Sequence, residues 1–153
     1  MDLATLAPWF QMSTFAVLPG WILLVVAPGW RPGSHLVAPV LLPGLVALGY
    51  IALLALGNFG IFFGGTGPAG GGFSSLEGLM ILFTSPIAVL GGWLHYLAFD
   101  LVVGAWQVRD ARARGLPHAL VVPCLILTFL LGPVGYLCYL ILRFATRRVL
   151  AAD

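Results

Sequence analysis

The chain has 153 residues, of which 61% are hydrophobic and 8% charged, with a mean hydropathy of +1.06. A soluble domain carries about 25% charged residues, so this chain cannot cover its own surface in water; the class that fits is an integral membrane protein of one domain. Net charge is +2, from seven arginines with no lysine, and no nucleic-acid partner is expected. The arginines cluster at 109, 112 and 114 and at 143, 147 and 148, with Arg31 alone, as charge does when it is confined to the ends of spans.

A span needs about 20 mostly apolar residues, and four stretches qualify. The first covers residues 6–27 and is expected to bend at Pro19. It follows an acid rather than a base, which argues for a retained helix and against a signal peptide. The second covers 36–56, with Pro43-Gly44 early in it. The Gly-rich stretch 57–74 contains GGTGPAGGG, with no lysine after it and no strand before it, and reads as a flexible connection rather than a phosphate loop. Ser74 stands three residues before Glu77, the spacing of a capping box. The helix expected over 75–83 is too short to span and lies at the interface or folds back into the protein. The third span covers 86–108, with Pro86 at its first position, and the fourth covers 117–142, with a kink expected at Gly132-Pro133.

The expected fold is therefore all-α: a four-transmembrane-helix bundle with a short interfacial helix before the third span, one membrane domain over 1–153. Four spans put both termini on one side. The loops then carry four arginines and the terminal side three, a difference that does not set the orientation. Cys124 and Cys138 are fourteen positions apart in the last span, about 21 Å on one helix at 1.5 Å per residue, beyond disulfide reach.

The segment GGWLHYLAFDLVVGAW places His95 and Asp100 inside the third span. An aspartate at mid-membrane costs roughly 2.5–3.5 kcal/mol on insertion scales, so such groups face a cavity or a partner. Five residues separate the two, which points them about 140° apart on an ideal helix. Trp93, Tyr96, Asp100, Gly104 and Gln107 share a stripe, aromatic at one end and polar at the other, suited to a long ligand with a polar head. His95 shares its face with Ala88, Gly91, Gly92 and Ala98, small residues that let a neighbouring helix approach. Each group also has a structural reading: His95 as an interhelical hydrogen-bonder, Asp100 as a carbonyl-paired group, Glu77 as a cap, His118 as an interfacial residue. No metal is expected, because three histidines without HxxH, HxxxH or CxxC spacing give no convergent ligand set.

WLHYLAFDL, the LPH before the last span and the GPVG within it resemble the ABA-deficient-four-like membrane family, with the likeness covering residues 72–143. Plant members of that family act as neoxanthin synthases. Matched position by position, the family pattern falls on Trp93, His95, Asp100, Leu101, His118, Gly132, Pro133 and Gly135. This chain has Ala105 about where relatives often carry an arginine. The resemblance implies a redox-neutral isomerisation of a carotenoid or other isoprenoid: an acid protonates an epoxide, the ring opens, and a base removes a neighbouring proton to leave an allene. That reaction needs no nicotinamide, flavin or other cofactor. His95, Asp100, His118 and Glu77 are the catalytic candidates, with His95 and Asp100 interchangeable as acid and base; Trp93, Tyr96 and Gln107 are the candidates for substrate binding. The expected partners are the lipid bilayer and a carotenoid or isoprenoid ligand, with a homo-oligomer or larger complex possible. A bacterial inner membrane or a photosynthetic membrane is the expected location. The alternative is a non-catalytic carotenoid-binding or structural subunit of a larger pigment-protein complex.

Overall fold

The structure is a computed structural model that describes residues 2–56 and 67–146. Among the described residues every regular element is helical. Helix α1 covers Leu3–Val26; a π-helical segment, Gly33–Leu41, runs directly into α2, Leu42–Leu56; α3 is Leu76–Leu82, α4 Pro86–Ala113, α5 His118–Leu131 and α6 Pro133–Ala145. Part of the Gly-rich connection expected over 57–74, with Asn58, lies outside the described residues, as do Arg147 and Arg148.

Among the described residues, three helical stretches are long and apolar enough to cross a bilayer: Leu3–Val26, Gly33–Leu56 and Pro86–Ala113. At 1.5 Å per residue the first and last are about 36 and 42 Å long, against a hydrocarbon core of about 30 Å. Pro19 lies inside α1 without ending it. Pro39 lies inside the π-helical segment, where the Leu42 N–H bonds the Val37 carbonyl five residues back. A proline supplies no donor to the ladder, and the wider π register re-partners carbonyls around it. Asp2 opens α1, accepting from the Thr5 N–H at 2.9 Å and the Thr5 hydroxyl at 2.6 Å, which holds its carboxyl below the usual range.

Two expectations need correction. The cap of the short helix is Ser75, whose Oγ accepts from the Gly78 N–H at 3.0 Å, so α3 starts one residue later than the Ser74–Glu77 pattern implies. The stretch 117–142 is not one long helix. It breaks at Gly132, which has φ +44, and continues as α6 folded back along α5. Thr128 packs against Gly135, and eight residues before the break Cys124 Sγ lies 3.5 Å from Cys138 Sγ. The two cysteines expected about 21 Å apart are in contact because the helix they share is a hairpin.

Burial is inverted relative to a water-soluble protein. Gln107, Thr128, Ser34 and Arg143 are buried, while Phe15 (67% exposed), Phe99 (60%) and Phe144 (70%) face outward. An apolar exterior with polar groups inside is what a hydrocarbon solvent selects. Among the three long helices α4 is the most buried, 50% of its most apolar window against 28% and 22%. Over the described residues the protein is all-helical, with helices that fit a membrane protein.

The chain divides into two compact units: Met1–Ala16 with Gly44–Leu97, and Val17–Pro43 with Ala98–Asp153. In the first, Trp93 Nε1 donates to Thr14 Oγ1 at 3.0 Å and its ring meets Phe10 and Tyr96, with centroids 5.1 and 5.4 Å away. In the second, Trp21 fills the gap left by Gly104, where an added Cβ would sit 2.7 Å from the indole. Small residues that admit a large neighbour are the usual helix contact in lipid, where packing replaces hydrophobic drive.

Candidate functional site

The first unit holds a cleft of about 280 Å³ lined by Tyr50 and Leu54 of α2, Leu82 of α3, Phe73 and Phe83, and Ala88, Gly91, Gly92 and His95 of α4. Its floor exists because Gly91 and Gly92 have no side chains: an added Cβ would meet the Tyr50 ring at 3.5 Å and the Phe83 ring at 3.1 Å. His95 follows Gly91 by one helical turn, so its imidazole joins the same wall. The cleft thus offers aromatic and aliphatic surface with one imidazole and one phenol. Tyr50 was not legible as a site residue, because nothing in the apolar run of α2 marks which residue faces α4.

The other candidates are not part of that lining. Glu77 is exposed on α3, at the second position after the Ser75 cap, where a negative charge suits the helix N-terminus. Trp93 and Tyr96 form the stacked pair anchored by Thr14. Asp100, Gln107 and His118 belong to the second unit, and each is engaged with the α5–α6 hairpin or its neighbour.

Asp100 sits at the turn of the hairpin. Its Oδ1 and Oδ2 lie 3.0 and 3.1 Å from where a Gly132 Cβ would be, and Gly132 is the residue that opens α6. A carboxylate at that end meets the positive pole of the helix dipole. Gln107 Nε2 donates to Thr128 Oγ1 at 2.9 Å and to the Gly135 carbonyl at 3.4 Å, joining both arms of the hairpin to α4. His118 Nε2 lies 2.9 Å from the Val25 carbonyl; a carbonyl only accepts, so this nitrogen carries the proton. These are the hydrogen bonds that a buried polar group needs in a dry interior.

A polar network not marked by the sequence lies at the far end of α4. Asp110 accepts from Tyr139 OH at 2.6 Å and pairs with Arg114 Nε at 2.9 Å and with buried Arg143 Nε at 3.3 Å. Arg143 also stands 6.0 Å over the Trp106 ring. Tyr139 and Arg143 are one turn apart on α6, which points both at Asp110, but their partner could not be named while α6 was read as the second half of a single kinked span.

The family comparison agrees with the motif. The sequence model of the ABA DEFICIENT 4-like family matches residues 8–139, which extends the likeness from the hairpin and α4 back through α2 into α1. No curated protein and no solved structure matches the chain. With nearly the whole helical region matched, the chain belongs to the ABA DEFICIENT 4-like family.

Proposed function

We propose that the protein is a membrane-embedded enzyme that isomerises a carotenoid or related isoprenoid without net redox change, with His95 as its proton-transfer group. The observation that carries this reading is a single imidazole set in an otherwise largely hydrocarbon-lined cleft, a position where an apolar substrate and a titratable group meet. In the neoxanthin-type reaction the acid protonates the epoxide oxygen, the C–O bond breaks, and the base takes a proton from the adjacent carbon as the allene forms. Protons balance and no oxidant is needed. The cleft, about 280 Å³, is smaller than pockets that enclose a drug-sized molecule, about 300–1,000 Å³. It suits one end group of a long isoprenoid, with the rest of the chain in lipid. Asp100 remains a candidate for the second proton-transfer group. The Trp93–Tyr96 pair is a candidate surface for the polyene.

One observation favours the second reading, a non-catalytic carotenoid-binding or structural subunit. Asp100 lies against the hairpin turn and His118 on the Val25 carbonyl, so two of the four candidate catalytic groups have structural work. Pigment analysis separates the readings. The protein is expressed in a host that makes epoxy-carotenoids, beside His95→Ala and Asp100→Asn, at matched membrane levels. A new isomeric carotenoid with wild type and at least a hundredfold less with His95→Ala, as removal of a general acid or base gives, supports the enzyme. Carotenoid that co-purifies unchanged with all three proteins supports the subunit.

A further inference from the structure

A stretch of apolar residues as long as 117–142 reads as a crossing, but its two helices are each too short to make one. Helix α5 has 14 residues and α6 has 13, about 21 and 20 Å at 1.5 Å per residue, against a core of about 30 Å. They lie antiparallel: Thr128 meets Gly135 near the turn and Cys124 meets Cys138 further from it. The open end of the hairpin is fixed at the C-terminal end of α4 and the C-terminal end of α1. Arg143 and Tyr139 reach Asp110, and His118 reaches the Val25 carbonyl. The closed end lies beside Asp100, ten residues back along α4, about 15 Å.

Backbone groups at the turn find partners within the chain, which matters in hydrocarbon, where each unsatisfied group costs several kcal/mol. The Gly132 N–H bonds the Thr128 carbonyl at 2.9 Å, and the Gly132 carbonyl accepts from Tyr136 at 3.1 Å. Pro133 has no N–H to satisfy.

We propose that α5 and α6 form a re-entrant hairpin, entering and leaving the bilayer on the side where α4 ends, so that the chain crosses three times and its arginines gather on one membrane face. The Arg109 guanidinium donates to the Ser34 carbonyl, and Gly29 packs on Arg112, so the connection carrying Arg31 stands at that face. Arg143 returns to it through Asp110. Asp2 precedes α1, a single 24-residue helix long enough to cross the bilayer, so three crossings would leave it on the opposite face. Among the described residues, Arg31, Arg109, Arg112, Arg114 and Arg143 then share one face, and the positive-inside rule makes that face cytoplasmic.

The first test uses the native chain in membranes. Mild oxidation with copper-phenanthroline joins Cys124 to Cys138 within one molecule, seen as loss of two hydrogens in the intact mass of the monomer. A straight span holds the two sulfurs about 21 Å apart, and failure to form that bond while surface thiols of a control protein oxidise overturns the hairpin. The second test places single cysteines at Asp2, Arg31 and Thr146 in a Cys124→Ala, Cys138→Ala background and labels them with an impermeant maleimide. Arg31→Cys and Thr146→Cys label from the cytoplasmic side and Asp2→Cys from the opposite side. Thr146→Cys labelling together with Asp2→Cys overturns the proposal in favour of four crossings. Equal labelling of every position from both sides overturns the assigned orientation.

Discussion

At Gly135 there is no room for even a methyl group: an added Cβ would fall on the Thr128 backbone nitrogen and hydroxyl. Backbone cannot yield as a side-chain tip can, so the arms of the hairpin would have to separate. Gly135→Ala is expected to destabilise by about 1–3 kcal/mol or more, the range for overpacking, read as a lower midpoint of thermal unfolding in detergent. Gly49→Ala is the matched control, since an added Cβ there meets nothing within 4 Å, and its midpoint should hold or rise slightly. Gly132→Ala combines positive φ with a collision against the Asp100 carboxylate, so it should lower the midpoint as well. The sequence placed GPVG inside a span and marked it as a bend. It could not say that one glycine serves the turn and the other the contact across it, because the second requirement exists only once α6 lies on α5.

Among the elements, α4 carries the most information and the hairpin the most surprise. The expected start of α4 at Pro86 is the observed one, since proline at the first helical position is a local signal. The expected span ends at 108, before Arg109 and Asp110; the helix itself continues through them to Ala113, where they organise the hairpin's open end. Three substitutions there should fall in a definite order by the same thermal assay. Asp110→Ala leaves Arg143 buried without its carboxylate and should cost about 3–5 kcal/mol. Tyr139→Phe removes one hydrogen bond to a charged acceptor, about 1.5–3 kcal/mol. Arg114→Ala loses a more accessible pair made from the turn just after α4, four residues from its partner, worth about 0.3–0.5 kcal/mol. An Arg114→Ala effect as large as that of Asp110→Ala would mean that Arg143 does not depend on this carboxylate.

For the whole molecule, the exposed phenylalanines and the buried glutamine, threonine and arginine predict retention in the membrane pellet after an alkaline carbonate wash, with release only by detergent. Release by carbonate alone would contradict an integral protein. This much was determined by the sequence: hydropathy and the arginine spacing name the solvent, because transfer from water to hydrocarbon is decided residue by residue. The motif around His95 and Asp100 also named the family, since it is a contiguous string. Tertiary structure decided what those residues touch. It seats His95 in a cleft with Tyr50, sets Asp100 at the turn of a hairpin, and brings Cys124 and Cys138 into contact. A straight helix and a hairpin of the same composition bury similar apolar surface against lipid, so hydropathy cannot separate them. Only the side chains of the facing elements, Gln107 and Asp110 above all, choose the folded-back form.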